Sequence, residues 1–330
     1  MKGKELNAMQ VIEAFKKEFD VVGVIETRRY LAEERALGRN VPDIPYPMTV
    51  VLGLAYPRRK LPSTKTHLAP SFYTFGQDYH EVLKNRIERV MSRFPHSYGF
   101  GVDNHPHDER LAAKLAGIGF IGKNQLLINR DYGSYLFLGL VFIDLPVKKT
   151  YAIEVEDSCG SCTRCIDACP TGALFAGGFD VTRCISAYNQ SKRPLSESEI
   201  AANSTLFGCD ICQLICPKNV AKGIKIHPEF ELTGKERIPV AELFTMSNAS
   251  FREAYGDMAY AWKGKTVLMR NALTLLLKRN DGSYNDLIEA SLARIPAQWY
   301  RDTARHVLKE LRKNEDQTGL TESTKKSVKY

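Results

Sequence analysis

The eight cysteines of this 330-residue chain are confined to residues 159–216, and their spacing favours iron–sulfur ligation. The first four form a C-x2-C-x2-C-x3-C run that is followed by Pro170. In such a run, three thiolates bind one [4Fe–4S] cluster and the fourth binds a second cluster. A later run, C-x2-C-x3-C followed by Pro217, lacks one member, and Cys184 lies between the two runs as its replacement. Eight thiolates are enough for two complete four-cysteine sites.

The crossing rule of bacterial ferredoxins divides the eight ligands between two clusters. The first cluster is predicted to bind Cys159, Cys162, Cys165 and Cys216, and the second to bind Cys169, Cys184, Cys209 and Cys212. Disulfides are disfavoured, because the sequence shows no export signal and small disulfide-stapled domains are much shorter. Four-cysteine zinc sites are the other alternative. Zinc motifs lack the third closely spaced cysteine and the repeated Cys-Pro.

Composition is ordinary for a soluble globular protein, with 44% hydrophobic and 25% charged residues. No apolar stretch approaches the length that a membrane span requires. We therefore expect a cytoplasmic protein that makes no membrane contact. The formal charge of +8 is compatible with a polyanionic partner, but charge alone does not establish one.

Alternating strand and helix patterns over residues 1–150 predict an α/β domain. Apolar strands are predicted at 21–25, 48–56, 99–103 and 135–143, with a helix at 109–117 among the segments between them. The run at 48–56 is nearly continuous and rich in β-branched residues, as in a strand covered on both faces.

The rest of the chain divides into three segments. Residues 151–225 hold the cysteines and predict short elements, because metal–thiolate bonds replace part of the core. Residues 226–312 predict helices, including an antiparallel pair of the size of one helical repeat. Residues 313–330 are polar and predict a frayed tail.

A second chemistry is indicated at residues 102–128, where a predicted strand ends at Asp103. Gly117, Gly119 and Gly122 predict a tight turn that lets the backbone approach a flat or phosphate-bearing ligand. Their order does not match the dinucleotide-binding fingerprint, and such turns are often purely structural.

Several motifs occur together in one order: VD-x-x-P-x-x-ER, AGIGFIGKN, YGSYLFLG, CGSCTRCIDACPTGAL, RCISAYNQSK and GCDICQLICP. With them the chain resembles the epoxyqueuosine reductases from about residue 20 to Asn271. The segments GQDYH and WKGKTVLMRNAL also fit. The resemblance implies cobalamin, two [4Fe–4S] clusters and the last step of queuosine synthesis, on the wobble nucleotide of a tRNA anticodon.

The resemblance also implies a mechanism. Electrons pass through the clusters to cobalt, and cob(I)alamin reacts at the epoxy-cyclopentane ring, from which the oxygen leaves as water. Asp103 matches the family's proposed proton donor. A carboxyl group donates near neutral pH only if its surroundings raise its pKa, so we expect a raised pKa there. The alternative role for Asp103 is a helix cap at the strand end.

Cobalamin contacts are carried over from the same motifs. They are Asp108, Lys123, Asn124, Leu138, Ser186, Asp210 and Gln213, with Arg39 and Tyr73 as weaker matches. His105 and His107 depart from the small or apolar residues of the family, and either tune Asp103, touch substrate or are surface or turn histidines.

For tRNA, the basic residues after the clusters are the predicted phosphate contacts. They are Lys192, Arg193, Lys218, Lys222, Lys225, Lys263, Lys265 and Arg270. Trp262 and Tyr260 either stack on a base or pack between helices.

The predicted architecture is therefore an α/β (α+β) cobalamin-binding domain with an inserted ferredoxin-like two-cluster domain and a carboxy-terminal helical, HEAT-like region. We expect a monomer that receives electrons from an unidentified low-potential donor. A corrinoid reductive dehalogenase and a non-enzymatic ferredoxin-like electron carrier are the alternatives. A dehalogenase would have no use for a basic face.

Overall fold

The computed structural model describes residues 2–147 and 159–326, and describes side chains over 8–147 and 159–314. Its strands are β1 Val21–Glu26, β2 Met48–Ala55, β3 His67–Leu68, β4 Tyr98–Gly101, β5 Phe120–Ile121, β6 Leu127–Ile128, β7 Leu136–Ile143, β8 Leu174–Phe175, β9 Gly178–Phe179 and β10 Ile238–Pro239. Its helices are α1 Lys2–Glu18, α2 Thr27–Ala36, α3 Tyr79–Met91, α4 Glu109–Leu115, α5 Arg164–Asp167, α6 Ile185–Tyr188, α7 Glu197–Ala202, α8 Ile211–Leu214, α9 Val240–Thr245, α10 Asn248–Tyr255, α11 Lys265–Lys278, α12 Asn285–Arg294 and α13 Gln298–Lys326.

A four-stranded antiparallel sheet, in the order β1-β2-β7-β4, forms the centre of the amino-terminal part. Strands β2 and β7 pair over their full lengths, from Met48 opposite Ile143 to Ala55 opposite Leu136. Every residue of β2 is buried, which confirms the strand predicted to be covered on both faces. Helices and strands are mixed, as the sequence predicts, but the alternation did not reveal the antiparallel order.

Helices cover both faces of this sheet. Side chains alternate along a strand, so Val50 and Leu52 face a core that includes residues of α1 and α3. Val51 faces the opposite way, into a core that includes residues of α2 and α4. Strand β4 ends at Gly101 and α4 begins only at Glu109. Residues 102–108 therefore form a loop at the end of the sheet, and we call this segment the Asp103 loop.

The cysteine-bearing region consists of short elements, as predicted. Helices α5 to α8 have at most six residues each, and β8 and β9 form a two-residue ladder. Its own apolar cluster is small and is built from Ile185, Tyr188, Leu195 and Ile200. So small a core leaves the segment dependent on other contacts for its shape.

Helices α9 to α13 share a separate core with β3 and β10. Helix α11 is buried along most of its length, and α12 packs against α13. Helix α13 continues to Lys326, so the frayed tail predicted from residue 313 is helical as far as it is described, and 327–330 lie outside the described residues. Among the described helices, none has the length and apolar character needed to cross a bilayer.

Candidate iron–sulfur and catalytic site

Four cysteine side chains line a cavity of about 370 Å³ that also contains residues of the sheet. These are Cys169, Cys184, Cys209 and Cys212. Strand β7 contributes Leu136, Phe137 and Leu138, and Asp103 lines the cavity as well. We call this space the main cavity. The thiols predicted for the second cluster and the predicted acid thus face the same space.

The other four cysteines line a separate pocket of about 30 Å³. They are Cys159, Cys162, Cys165 and Cys216. The structure therefore groups the eight cysteines in the two sets of four that the crossing rule predicts, and the ligand assignment itself stays a prediction. No three described histidine, cysteine or acidic side chains lie close enough together to hold a single metal ion.

Burial acts against the thiolate at Cys169, but hydrogen bonds from Leu174 and Thr171 outweigh it and lower the pKa there, whereas at two other cysteines of the main cavity burial disfavours the thiolate. It raises the pKa of Cys209 to about 12, and it also raises the pKa of Cys212. A buried thiolate is stable only where positive charge or hydrogen bonds compensate for its lost hydration. These thiols are therefore suited to deprotonation on binding a cationic iron centre.

Asp103 is fixed in position by two hydrogen-bond donors and by its own backbone. Its carboxylate accepts a hydrogen bond from the Tyr79 hydroxyl at 3.1 Å and lies 3.2 Å from Nε2 of His80. Its backbone N–H donates to Glu109 Oε1 at 2.8 Å. The backbone is left-handed, with φ of 54°, which is uncommon outside glycine but tolerated by Asp and Asn. Asp103 is thus held in an unusual conformation facing the main cavity.

The electrostatics of Asp103 correct the prediction of a raised pKa. The hydrogen bond from His80 holds the pKa of Asp103 below its ordinary value, against the opposing effect of burial. Burial acts to lower the pKa of His80, but its hydrogen bonds to Asp103 and Asp78 outweigh burial and raise that pKa to about 9. Near neutral pH the pair is therefore a carboxylate beside an imidazolium, and the proton is on His80.

Tyr79 and His80 were not singled out from the sequence as site residues. They lie in the GQDYH segment, which fits the family pattern and was the available signal. The helix-cap alternative for Asp103 is wrong, because Asp108 caps α4 by accepting hydrogen bonds from the backbone N–H groups of Arg110 and Leu111.

His105 and His107 stabilise the Asp103 loop through contacts with buried or partly buried carboxylates. His105 Nε2 lies 3.1 Å from Glu109 Oε1, the atom that also accepts from the Asp103 backbone. His107 Nδ1 lies 2.8 Å from the fully buried carboxylate of Glu34. His107 is buried within the Asp103 loop, so of the surface and turn alternatives it fits the turn, and neither histidine is among the described residues that line the main cavity.

Four of the seven predicted cobalamin contacts line the main cavity: Asn124, Leu138, Ser186 and Gln213. The Gln213 amide nitrogen donates to the Tyr56 hydroxyl at 2.8 Å and to the Ser134 carbonyl at 2.9 Å, which fixes its orientation. Tyr73, a weaker match, also lines the cavity.

The other three side chains have partners elsewhere, and their contacts to cobalamin stay predictions. The Asp108 carboxylate caps α4 and lies 3.6 Å from Arg39. Lys123 donates to the carbonyls of Gly160 and Cys162, beside the first set of cysteines. The Asp210 carboxylate accepts from the Ser71 hydroxyl and the Phe72 backbone. None of the three is among the described residues that line the main cavity.

The glycine-rich turn serves backbone packing. A Cβ on Gly119 would lie 2.4 Å from the Ile128 carbonyl oxygen. The close approach that glycine allows here is to β6, within the β5–β6 hairpin. This turn places Asn124 at the cavity.

The lining of the main cavity fits a large flat group with polar edges. Phe137 stacks on Tyr56 at 4.3 Å and on Tyr79 at 4.2 Å between ring centroids, which gives a rigid aromatic wall. Asn124 Nδ2 is buried without a hydrogen-bond partner among the described residues. An unpaired buried donor is costly, and a ligand with acceptor groups at its rim would satisfy it.

Two predicted phosphate contacts lie in the interior. Arg270 is fully buried and donates to the carbonyls of Tyr188, Asn189, Ser191 and Arg193. Lys265 is 8% exposed and donates to the Met246 carbonyl. Neither side chain is free to contact RNA in this structure, and both predictions are corrected.

Other basic residues remain accessible. Lys192 and Lys218 are exposed, and Lys192 lines a cleft of about 830 Å³ together with Trp262 and Lys263. The Lys263 ammonium lies 3.5 Å from the centre of the Trp262 ring, which is 47% exposed. Tyr260 is fully buried and donates to the Lys235 carbonyl, so it packs between helices. We call the cleft that Lys192, Trp262 and Lys263 line the Trp262 cleft.

Comparisons with known proteins agree with the cysteine pattern. Residues 158–219 match the family model of a 4Fe-4S double cluster binding domain. The chain is 35% identical to an epoxyqueuosine reductase of Lactococcus garvieae (strain Lg2), over 71% of this chain and 70% of that protein. It is 34% identical to the epoxyqueuosine reductase of Bacillus subtilis (strain 168), over 77% of this chain and 69% of that protein.

Solved structures give the same result for the fold. A crystal structure of epoxyqueuosine reductase with an epoxyqueuosine-modified tRNA-Tyr stem loop covers 94% of this chain and 100% of that chain, at a TM-score of 0.77 and 27% identity. The epoxyqueuosine reductase of Streptococcus thermophilus covers 93% and 90%, at a TM-score of 0.78 and 25% identity.

Proposed function

The chain belongs to the epoxyqueuosine reductase family of oxidoreductases, and we propose that it reduces epoxyqueuosine to queuosine at the wobble position of a tRNA. The chain carries a 4Fe-4S double cluster binding domain, and two [4Fe–4S] clusters bound there would supply the electrons. The electron donor is an unidentified low-potential carrier.

One observation supports this proposal most strongly. The thiols predicted for the second cluster and the carboxylate of Asp103 line the same cavity. Cys169, Cys184, Cys209 and Cys212 would hold a cluster that supplies electrons at the cavity where Asp103 and His80 supply protons. Removal of an epoxide oxygen as water needs both at one place.

The proposed cofactor of the main cavity is cobalamin. Asn124, Leu138, Ser186 and Gln213 are the residues that would hold it, and the unpaired Asn124 Nδ2 suits an acceptor at the rim of the corrin. When bound, cobalamin would supply a low-potential cobalt centre for the reduction.

The chain's own residues position the reacting groups. The Phe137, Tyr56 and Tyr79 rings form an apolar wall that limits water. The Tyr79 hydroxyl and His80 fix the Asp103 carboxylate, and Glu109 fixes its backbone. These contacts hold Asp103 where a departing substrate oxygen can accept a proton.

For the tRNA we propose the Trp262 cleft as part of the binding surface. Lys192 and Lys263 neutralise phosphates there, and the exposed face of Trp262 is available for stacking on a base. Lys218 lies beside the first set of cysteines and is a further proposed phosphate contact. The solved relative with a bound stem loop supports an RNA substrate.

The reductase interpretation is favoured over both alternatives. The relatives that establish the family are reductases of epoxyqueuosine, not dehalogenases. A plain electron carrier has no need for a cavity that joins cysteine thiols to a hydrogen-bonded carboxylate.

The test is an anaerobic assay with purified chain, reconstituted clusters, cobalamin, a strong reductant and tRNA that contains epoxyqueuosine. Digestion of the tRNA and mass spectrometry of its nucleosides measure queuosine. We expect conversion that requires cobalamin. Failure to convert, in protein that contains both clusters and cobalamin, would reject the proposal.

A further inference from the structure

The strongest unassigned feature is a chain of three side chains across the Asp103 site. His80 Nδ1 lies 2.7 Å from Asp78 Oδ1, and His80 Nε2 lies 3.2 Å from Asp103 Oδ2. Both ring nitrogens therefore face a carboxylate oxygen. A neutral imidazole has only one N–H and can serve one such acceptor, whereas an imidazolium serves both.

The surroundings favour the charged ring. Tyr79 stacks on His80 with ring centroids 4.0 Å apart, and its hydroxyl donates to Asp103. One contact opposes the charged ring, because Asn104 Nδ2 is a donor and lies 3.4 Å from His80 Nε2, but the Asp103 carboxylate oxygen is closer to that nitrogen, at 3.2 Å. Asp78 Oδ1 also accepts from the His80 backbone N–H as the cap of α3, so the same oxygen is held by the backbone and the ring of His80.

Other titratable groups face this unit from neighbouring elements. Tyr73 lies against Tyr79, and His105 and Glu109 act on Asp103 from the Asp103 loop and α4. Lys263 is a further positive charge close enough to interact with Asp103. The negative charges nearest to His80 remain the carboxylates of Asp78 and Asp103, which are hydrogen-bonded to its ring.

We propose that Asp78, His80 and Asp103 form a proton relay, in which His80 is the proton reservoir and Asp103 the group that hands the proton to the substrate oxygen. The inference deepens the proposed function and rests on it. His80 acts through Asp103, so it is a positioning and proton-supplying residue. Asp78 orients its ring.

The chemistry balances with this relay. Conversion of an epoxide to an alkene and water consumes two electrons, which the clusters supply, and two protons. In each proton transfer an N–H bond of His80 breaks as an O–H bond forms on Asp103, and that bond breaks as the substrate oxygen takes the proton. The side chain of His80 is 19% exposed, so solvent can return a proton to it before the second transfer. Because the hydrogen bond from His80 holds the pKa of Asp103 below its ordinary value, Asp103 has no proton of its own to donate near neutral pH.

The first test is the protonation state of His80 itself. The cluster-containing, cobalamin-free protein is labelled with ¹⁵N-histidine, and the ring nitrogens are followed by NMR against pH, with assignment from a His80→Gln variant. We expect both ring nitrogens of His80 to carry protons at pH 7.5 and to titrate near pH 9. Asp78→Asn should move that titration down by at least one unit. A neutral His80 ring at pH 7.5 would overturn the relay.

The second test is the pH profile of single-turnover conversion of epoxyqueuosine tRNA. Asn caps a helix about as well as Asp, so Asp78→Asn should preserve α3. We expect the alkaline fall of the rate to move to lower pH with the NMR titration, so that a one-unit shift makes the variant about threefold slower than wild type at pH 8.5 and nearly equal at pH 5.5. His67→Gln, in β3, is the matched control and should leave the profile unchanged. An identical alkaline limit in Asp78→Asn and wild type would contradict the relay.

These outcomes separate the relay from the proposed function. If the wild-type protein converts no tRNA at any pH, the function fails, while the NMR titration still decides the state of His80. If the wild type converts tRNA but shows no alkaline limit near pH 9, the function stands and the relay is wrong.

Discussion

At the scale of single residues, the chemistry of Asp103 is set by its contacts. Its left-handed backbone aims the carboxylate at the main cavity, and His80 keeps that carboxylate ionised. The residue could be chosen from the sequence by its motif. Its protonation state could not, because it depends on a histidine 23 positions earlier that only the fold brings to 3.2 Å.

Replacing Asp103 by asparagine should remove proton transfer and keep the fold, because Asn also adopts left-handed backbone angles. We expect turnover of epoxyqueuosine tRNA to fall by about 10²- to 10⁴-fold. Iron content and cobalamin binding, measured by absorbance, should match wild type. Full activity in Asp103→Asn would remove this residue from the mechanism.

His80 should also make stability depend on pH in a defined direction. Its folded pKa of about 9 lies above the ordinary 6.5, so the folded state binds the proton more tightly. This stabilisation is fully present below pH 6.5 and is lost as pH rises through 9. Thermal melting of wild type and His80→Gln should therefore differ most below pH 6.5 and converge by pH 9.5. A difference that grows with pH would contradict the assignment.

At the scale of elements, α11 connects the carboxy-terminal helices to the segment that follows Cys184 through the hydrogen bonds of Arg270. Arg270 donates to four carbonyls of residues 188–193, and burial lowers its pKa to about 10. The sequence showed a basic residue after the clusters and suggested a phosphate contact. Charge in a sequence does not reveal burial, and here the acceptors are backbone carbonyls.

Replacing Arg270 by methionine should destabilise the protein, because it leaves several buried carbonyls unpaired. We expect a loss of about 3 kcal/mol or more in the free energy of unfolding, together with faster loss of iron on dilution. Lys263→Met is the control at an accessible position of the Trp262 cleft and should change stability by less than about 0.5 kcal/mol. A stable Arg270→Met variant with weakened tRNA binding would restore the RNA-contact hypothesis.

Neutralising the Trp262 cleft should weaken tRNA binding, because fewer phosphates are then paired with a lysine. For Lys192→Gln with Lys263→Gln, we expect the slope of log affinity against log salt to flatten by about 0.7–0.9 for each phosphate that is no longer neutralised. Filter binding across a salt series measures the slope. Lys16→Gln, on α1, serves as a matched control and should not alter it. An unchanged slope in the double variant would move the RNA surface elsewhere.

Some features of the helices and strands could be predicted from the sequence and others could not, for physical reasons. A continuous apolar run identified β2, since a strand buried on both faces has no polar side. Strand order was not predictable, because antiparallel pairing of β2 with β7 joins segments that are far apart in the sequence. The continuation of α13 past residue 313 was missed, because its sequence there is polar and offered no buried face.

At the scale of the whole molecule, the sheet and the cysteine region meet at the main cavity. The cysteine spacing anticipated both sets of four, because each cluster needs thiols at fixed separations. The main cavity could not be foreseen from spacing, since it is made by side chains from β7, the Asp103 loop and the cysteine region together.

Cys184 lies between the two cysteine runs, so its assignment as a cluster ligand has the weakest support from spacing. Its replacement tests the second cluster. Cys184→Ala should retain the first cluster and lose about half of the iron, because the remaining three thiols of its set hold a cubane poorly. Anaerobic iron analysis and electron paramagnetic resonance of the reduced protein measure this. Iron equal to wild type would assign Cys184 another role.

The most direct measurement is the yield of queuosine in one anaerobic turnover by wild type, Asp103→Asn and Cys184→Ala, each supplied with cobalamin and epoxyqueuosine tRNA. The account predicts that wild type converts its bound tRNA, and that both variants convert almost none although Asp103→Asn retains both clusters. Conversion by either variant at the wild-type level, or none by a fully loaded wild type, would contradict it.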